Sequence, residues 1–324
     1  MSFSIRISAG AFRMEDLELV IIGAGAAGLT AGIYSVRSGL KTVVLEEKLA
    51  GGTAADAPTV ENYPGFSSVS GTELAQRMVA HAKSAGVTLN ELEAVVSLDF
   101  KNERKRVQTQ KAVYEARAVI VATGSHYRQL GVPGEKEFRG RGVSYCGICD
   151  GPFFRAKSVL VVGGGNSAAM TALYLSGIAA ETKIVHRREA FRCEEALTQS
   201  LKNTKNVEIL WNTEIKEIRG DKIVQKVILL DKKTGETVEL AVNGVFVQVG
   251  EDPNSKIAKD AGVALDKDEY IITDAQQRTN LEGVYAAGDV TNHPIKQVGT
   301  AVGQGITAAL EAYGFIRRPY YHER

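Results

Sequence analysis

A glycine-rich turn occurs twice in this chain, each time between an apolar strand and a helix, and this repeat constrains the fold more than any other feature. The first copy, GAGAAG at 23–28, follows a β-branched strand predicted over 17–22. The second copy, GGGNSA at 163–168, follows a strand predicted over 158–162. In a βαβ unit the first glycine permits the tight turn, the second lets backbone approach a pyrophosphate, and the third position lets helix and strand pack closely. The repeat therefore predicts an α/β protein with two Rossmann-like nucleotide-binding domains.

The two copies differ in charge at the end of the strand that follows each helix. Glu46 lies 23 residues after Gly23, and His186 lies 23 residues after Gly163, where it begins the basic segment HRREAFR. A carboxylate at this position suits the hydroxyl groups of an adenosine ribose. Arginine side chains suit a 2′-phosphate, because guanidinium groups match phosphate oxygens in geometry and charge. We therefore predict that the first turn binds FAD and that the second binds NADPH.

The candidate nucleotide-binding residues lie at the turns, at strand ends with small residues, or at the start of a helix that favours negative charge. For FAD the candidates are Gly23, Gly25, Ala26, Ala27, Gly28, Glu46, Ala122, Thr123, Gly124, Gly288, Asp289, Gln297 and Val298. For NADPH they are Gly163, Gly165, Asn166, Ser167, Ala168, His186, Arg187, Arg188 and Arg192. A glycine-rich packing turn and a solvated basic helix start remain the alternatives for the two sites.

A C-x-x-C pair lies between the two copies of the turn, at Cys146 and Cys149, and Asp150 follows it directly. Half of a zinc site, two buried thiols and a redox-active dithiol are the three interpretations of such a pair. Zinc is disfavoured because the remaining cysteine, Cys193, is isolated, so no metal is predicted. The two nucleotide sites favour a redox dithiol, in which an adjacent carboxyl could move a proton. A turn-capping role for Asp150 is equally compatible with its position.

Length and composition exclude several classes of protein. At ~100–200 residues per domain, 324 residues predict two domains. A net charge of +1 favours neither nucleic acid nor an anionic membrane surface as a partner. We find no apolar run of about 18 residues and no apolar core of a signal peptide, so neither a membrane segment nor secretion is predicted. Three cysteines in the whole chain fit a reducing cytoplasm.

Seven motifs together resemble the low-molecular-weight thioredoxin reductases over residues 18–314. They are GAGAAG (23–28), VENYPGF (60–66), VATG (121–124), CGICD (146–150), GGGNSA (163–168), HRREAFR (186–192) and YAAGD (285–289). The resemblance implies a homodimer with the FAD/NAD(P)-linked reductase fold, in which the NADPH domain is inserted into the FAD domain. The implied division is an N-terminal extension (1–17), a first part of the FAD domain (18–127), an NADPH domain that carries the cysteine pair (128–246), and a second part of the FAD domain with a C-terminal tail (247–324).

The resemblance also implies a role for each member of the site. Cys149 would face the flavin, Cys146 would attack the partner's disulfide, and Asp150 would be the acid and base. The FAD-binding residues would also include Gly51, Gly52 and Asn62. The expected enzyme is a thioredoxin-disulfide reductase, which passes electrons from NADPH through FAD and the dithiol to thioredoxin or to a thioredoxin/glutaredoxin-like protein.

Two departures from the family pattern keep alternatives open. Gly147 and Ile148 separate the cysteines, where the family often has Ala-Thr, and Met170 and Thr171 stand where family members often carry two glutamates. The second departure leaves ferredoxin or a reduced deazaflavin as alternative donors, although relatives with such donors usually lack a motif like HRREAFR. A flavin-bound redox sensor without turnover is the alternative from a different functional class.

Overall fold

The computed structural model describes residues 13–57 and 59–317, so the predicted N-terminal extension is described only in part, and residues 318–324 of the predicted tail lie outside the described residues. The strands are β1 (Arg13–Asp16), β2 (Leu19–Ile22), β3 (Thr42–Leu45), β4 (Thr88–Asn90), β5 (Val95–Asp99), β6 (Lys105–Thr109), β7 (Ala112–Ala116), β8 (Ala118–Val121), β9 (Ser125–Tyr127), β10 (Val143–Ser144), β11 (Ser158–Gly163), β12 (Glu181–His186), β13 (Val207–Trp211), β14 (Thr213–Gly220), β15 (Val224–Asp231), β16 (Thr237–Ala241), β17 (Gly244–Gln248), β18 (Glu251–Pro253) and β19 (Val284–Ala286). The helices are α1 (Ala26–Arg37), α2 (Gly71–Ser84), α3 (Gly147–Asp150), α4 (Asn166–Ser176), α5 (Glu195–Asn203), α6 (Lys256–Asp260) and α7 (Val298–Arg317), with short 3₁₀ helices at Gly52–Asp56 and Gly151–Phe154.

The chain divides into two compact units. The first unit takes its described residues from 1–58, 63–126 and 253–324, and the second takes them from 59–62 and 127–252. The chain leaves the first unit at β9 and returns to it at β18. The long segment of the second unit, 127–252, begins one residue before and ends six residues after the 128–246 range that the resemblance implies for the NADPH domain.

A five-stranded parallel sheet in the order β19-β8-β2-β3-β4 forms the centre of the first unit. Side chains alternate between the two faces of a strand, so Leu19 and Ile21 of β2 join one apolar cluster and Val20 and Ile22 join the other. The first cluster lies under α1 and α7, and the second packs against the sheet β1-β7-β6-β5. Burial on both faces explains why β2, β3 and β8 consist almost entirely of apolar residues.

The second unit repeats this plan with a parallel sheet in the order β10-β17-β11-β12-β13. Val159 and Val161 of β11 pack in the apolar cluster of α4, whereas Leu160 and Val162 pack in the cluster that includes β14 and β15. The strands β14, β15 and β16 form a separate antiparallel sheet. The predicted α/β fold class, with two parallel sheets of the nucleotide-binding type, is confirmed.

Antiparallel pairs join β5, β6 and β7, whereas β4 joins the central parallel sheet beside β3. The structure differs from the sequence-based expectation in two elements. Part of the predicted N-terminal extension forms β1, which pairs parallel with β7. The helix α5 was not predicted, because its buried face is short and contains only Thr198 and Leu201. None of the helices in the described ranges combines the length and apolar character that a membrane crossing requires.

The contact between α1 and α7 gives a matched pair of glycine substitutions on one helix. A Cβ atom added at Gly305 would lie 2.3 Å from the carbonyl oxygen of Ala27, whereas one added at Gly303 would meet no atom within 4 Å. We expect Gly305→Ala to destabilise the protein by about 1–3 kcal/mol, because backbone atoms of α1 must move. Gly303→Ala should be neutral or stabilising by roughly 0.4–1 kcal/mol, because alanine restricts the unfolded chain. Urea unfolding of both variants measures the difference, and equal midpoints would contradict this packing.

Candidate active site

Cys146 and Cys149 form a disulfide at the helix α3, with their Cα atoms 5.3 Å apart. Cys146 is the residue that caps the start of α3, and its Sγ atom accepts a hydrogen bond from the backbone N–H of Cys149 at 3.2 Å. Both cysteines are half-buried, and Ile148 between them is 62% exposed. The disulfide is therefore close to the surface of the second unit, where another thiol can reach it.

Ser144 and Asp150 flank the disulfide on either side in the chain. The Ser144 hydroxyl donates to the carbonyl of Cys146 at 3.2 Å and accepts from its N–H at 3.1 Å. The N–H of Asp150 donates to the same carbonyl at 3.1 Å, which brings its backbone back to Cys146. Burial raises the pKa of Asp150 above its ordinary value, and a hydrogen bond with Ser144 opposes this shift. The carboxyl therefore holds a proton to higher pH than an exposed aspartate, as a proton donor requires.

Tyr145 anchors the chain immediately before the disulfide. Its hydroxyl donates to Oε1 of Glu135 at 2.8 Å, and Nε2 of Gln248 donates to its carbonyl at 2.8 Å. Glu135 is 1% exposed and also accepts the backbone N–H groups of the loop 130–131 at 2.8 and 2.7 Å. Burial, followed by the Glu135 carboxylate, raises the pKa of Tyr145, so the hydroxyl remains a donor. The buried carboxylate thus holds the residue before Cys146 in place.

The turn between β2 and α1 in the first unit has the close backbone packing that the sequence predicts. Gly23 has φ +103°, and a Cβ atom there would lie 2.3 Å from the carbonyl oxygen of Ala122. A Cβ atom at Gly28 would lie 1.8 Å from the carbonyl oxygen of Gly23. No side chain caps α1 at Gly25, and a Cβ atom there would meet only Gly52, at 3.8 Å. The first N–H groups of α1 therefore face an open cradle, which fits the pyrophosphate of FAD.

Glu46 lies beside this cradle, at the end of β3. Its Oε2 atom accepts the N–H of Ala24 at 2.8 Å, and its Oε1 atom accepts the N–H of Lys48 at 2.9 Å. The N–H of Gly51 donates to the carbonyl of Ala24 at 2.9 Å and joins that loop to the same turn. Glu46 and Gly51 therefore lie next to the first turn. This is the position that an acid must have to bind the ribose of a nucleotide held at that turn.

The start of α7 lies at the far side of this cradle. Gly288, just after β19, donates its N–H to Oε1 of Gln304 at 2.7 Å, and a Cβ atom there would lie 2.9 Å from Cβ of Ala27. Lys296 donates its ammonium group to the carbonyl of Asp289 at 3.1 Å. Gln304 is 7% exposed, and its Nε2 atom has no partner among the described residues.

The other FAD candidates lie at several places in the two units. Thr123 donates its hydroxyl to the carbonyl of Asn254 at 2.8 Å, and Gly124 accepts the N–H of Asn254 at 2.9 Å. The first unit also contains Ala26, Ala27, Gly52, Ala122, Gln297 and Val298. Asn62 belongs to the short segment 59–62, which groups with the second unit. The sequence analysis did not identify Gln304 as a site residue. A glutamine among the small residues of α7 is the signal that could have identified it.

The turn between β11 and α4 forms a second open cradle, in the second unit. Gly163 has φ +154°, and a Cβ atom there would lie 2.3 Å from the carbonyl oxygen of Gln248. No side chain caps α4 at Gly165, where a Cβ atom would meet nothing within 4 Å. The Asn166 side chain instead accepts the N–H of Glu194 at 2.9 Å and donates to its carboxylate at 3.0 Å. Ser167 is exposed and Ala168 is buried, so this cradle also fits a pyrophosphate.

The basic segment after β12 lies beside this second cradle. The His186 ring is 6% exposed and lies against Gly164, where a Cβ atom would be 2.2 Å from the ring. Burial lowers the pKa of His186, and the three neighbouring arginines lower it further, while its Nε2 atom has no partner among the described residues. The arginines of this segment are Arg187, Arg188 and Arg192. All three are exposed, and none forms an ion pair with a carboxylate of the described residues. Unpaired guanidinium groups around an orphaned nitrogen fit a phosphate dianion.

Trp211 and Phe191 pack around the same ring, with centroids 6.4 and 5.5 Å from that of His186. Trp211 thus has a packing role. Within residues 13–57 and 59–317, no group of three or more His, Cys, Asp or Glu side chains could hold a metal ion.

Comparison with known proteins gives close matches over nearly the whole chain. The family model for pyridine nucleotide-disulphide oxidoreductases matches residues 17–305. Thioredoxin reductase of Bacillus subtilis is 41% identical over 300 residues, which cover 92% of this chain and 94% of the relative. A Clostridium pasteurianum protein, described as a 34.2 kDa protein in the rubredoxin operon, is 40% identical over 93% of this chain and 98% of its own length. The solved thioredoxin reductase of Streptococcus pyogenes superposes with a TM-score of 0.90 at 39% identity, covering 94% of this chain and 99% of its own.

Asp150 gives a pH-dependent prediction. Because burial raises its pKa in the folded protein, its contribution to stability is present below the unfolded pKa and is lost as pH rises through the folded pKa. Asp150→Asn removes this loss, so the variant should gain stability relative to the wild-type protein as pH rises from the unfolded pKa of about 4 through the higher folded pKa. Urea unfolding across that range measures the gain. Asp221→Asn, which changes an exposed carboxylate of the same unit, is the control. A variant-to-wild-type difference that is constant with pH would contradict the raised pKa.

Proposed function

The chain belongs to the pyridine nucleotide-disulphide oxidoreductase family and, within it, to the thioredoxin reductases, and from this membership we propose that it reduces the disulfide of thioredoxin with electrons from NADPH. Members of the thioredoxin reductase family use FAD and NADPH. The observation that carries the proposal is the Cys146–Cys149 disulfide at the surface of the second unit, followed directly by a carboxyl of raised pKa. In thiol–disulfide exchange a thiolate attacks a disulfide sulfur, and a nearby proton donor can protonate the thiolate that leaves.

When bound, NADPH would supply a hydride and FAD would supply its two electrons to the disulfide. Reduction of the Cys146–Cys149 disulfide breaks the S–S bond and adds two electrons and one proton, which leaves one thiol and one thiolate. The thiolate of Cys146 then attacks the thioredoxin disulfide, and one thioredoxin sulfur leaves. Cys149 attacks Sγ of Cys146 next, which restores the internal disulfide and releases the second thioredoxin sulfur. Asp150 donates a proton to a departing thiolate, a role that its raised pKa favours.

We assign FAD to the first unit and NADPH to the second. The open cradle at Gly25 and the nearby carboxylate of Glu46 support FAD, because the helix N-terminus suits pyrophosphate and the acid suits ribose hydroxyls. The open cradle at Gly165 and the exposed Arg187 and Arg188 support NADPH, because only this nucleotide carries a 2′-phosphate. Family membership further supports a homodimer and a cytoplasmic location, since the match covers nearly the full length of its thioredoxin reductase relatives.

The arginine cluster predicts a preference for NADPH over NADH. In anaerobic solution, NADPH should bleach the flavin absorbance rapidly and NADH should do so slowly. Arg188→Ala should raise the KM for NADPH by about 10–100-fold and leave the KM for NADH nearly unchanged, because it removes a charge-assisted contact to the 2′-phosphate. Lys202→Ala, an exposed cation on α5, is the matched control.

Failure of both nucleotides to bleach the flavin would overturn the NADPH assignment. Reduced ferredoxin and a reduced deazaflavin would then be tested as donors with the same absorbance signal. Bleaching by NADPH without reduction of any disulfide protein would instead support a redox sensor that does not turn over.

The three cysteines give a second test of the mechanism. Cys149→Ser should keep bound FAD and its reduction by NADPH, but thioredoxin reduction should fall by about a thousandfold or more, because the internal disulfide can no longer form. Cys193→Ser is the control, because this cysteine is distant in sequence from the pair and contacts Thr198 at 3.3 Å. Its activity should stay within about twofold of wild type. An insulin-reduction assay with thioredoxin measures both, and full activity of Cys149→Ser would refute the dithiol mechanism.

A further inference from the structure

The helix α3, which contains Cys149, and the 3₁₀ helix that follows it pack against α4 at two glycines. Gly147 and Gly151 are four residues apart, so they lie on one face of the helical segment. A Cβ atom at Gly147 would lie 2.6 Å from Cγ2 of Thr171, and one at Gly151 would lie 2.9 Å from side-chain atoms of Leu175 and Tyr174. The backbone between the cysteines therefore touches α4 side chains directly.

Thr171 is the reason that position 147 must be glycine. The φ angle of Gly147 is not positive, so its backbone conformation is open to alanine. Gly147 is buried, and the first two atoms that a Cβ atom would meet, at 2.6 and 3.1 Å, are Cγ2 and Oγ1 of Thr171. A single methyl group on α4 thus sets how closely the disulfide segment can approach the helix.

This contact joins the two positions at which the chain departs from the common family pattern. Gly147 lies between the cysteines, and Thr171 lies in the second turn of α4, whose first turn begins at the cradle of Gly165. Each departure taken alone has no evident purpose in the sequence. In the folded chain, Gly147 has no side chain, and the side chain of Thr171 occupies the space that a Cβ atom at position 147 would need.

We propose that Thr171 is a positioning residue for the dithiol, and that its methyl group, seated on Gly147, sets the balance between the disulfide and dithiol forms. The disulfide closes a ring through Gly147 and Ile148, so this segment cannot yield when it is pushed away from α4. The open dithiol lacks this restraint and can relax. Crowding at position 147 therefore disfavours the disulfide more than the dithiol. The proposal rests on the proposed function, in which this pair cycles between both forms.

The test measures thiol–disulfide exchange with dithiothreitol on the purified protein, without NADPH or thioredoxin. Dithiothreitol loses two electrons and two protons as it forms its cyclic disulfide, and the Cys146–Cys149 disulfide gains them and opens. The protein is equilibrated at a series of ratios of reduced to oxidised dithiothreitol, quenched with acid and alkylated, and the dithiol fraction is read by mass spectrometry.

Gly147→Ala should shift this equilibrium about tenfold toward the dithiol, which corresponds to about 30 mV for a two-electron couple. Thr171→Ser removes Cγ2 and keeps the hydroxyl, so the double variant Gly147→Ala with Thr171→Ser should return to within about threefold of wild type. Gly177→Ala is the control, because a Cβ atom at this end of α4 would meet only the carbonyl oxygen of Tyr174, at 3.5 Å.

An unchanged equilibrium in Gly147→Ala would overturn the proposal, and so would a shift that persists in full in the double variant. If Gly147→Ala does not fold, the double variant tests the contact between positions 147 and 171 instead. Folding with a wild-type equilibrium supports the contact, and failure to fold overturns it. Because the measurement uses no NADPH and no thioredoxin, an inactive wild-type enzyme with the expected shifts would reject the proposed function and leave the role of Thr171 intact.

Discussion

Close approach of backbone to backbone at the strand–turn–helix junctions is the constraint on which both units depend. At Gly28 the space for a Cβ atom is already filled by the carbonyl oxygen of Gly23, and at Gly163 by that of Gln248. This packing brings the first N–H groups of α1 and α4 to the carboxyl ends of their sheets, where no side chain caps them. Unsatisfied N–H groups at a helix start attract anions, so the same lack of side chains that permits the packing creates both phosphate sites.

The dithiol segment extends this principle from nucleotide binding to redox chemistry. Glycine again removes a side chain so that backbone can meet a neighbour, in this case the Thr171 side chain of α4. Glu135, through Tyr145, holds the chain before the disulfide, and Ser144 holds the carbonyl of Cys146. The disulfide is thus held by contacts on both sides, and both of its cysteines are half-buried. Such preorganisation by a supporting shell is typical of sites that exchange thiols.

Polar groups buried around the sites show which roles the sequence pattern could not reveal. His186 stands at the same interval from its turn as Glu46, yet its ring is buried against Gly164, while the exposed charge comes from the arginines that follow. Gln304 and Glu135 were not predicted at all, because each acts on a backbone group distant in sequence: Gln304 on Gly288, and Glu135 on the loop before Tyr145. Periodicity and spacing describe neighbours along the chain, and they cannot show which buried carboxylate or amide will meet which backbone N–H across a sheet.

The sequence by itself determined the fold class, the two glycine turns, the charge difference between Glu46 and the arginine segment, and the redox pair with its adjacent acid. These features are local, because each depends on residue type at a fixed spacing within a single βαβ unit or loop. Only the tertiary structure decided the burial that raises the pKa of Asp150, the pairing of Gln304 with Gly288, and the contact of Thr171 with Gly147. Each of these depends on which residues lie side by side after the helices have packed on their sheets, and no spacing along the chain contains that information.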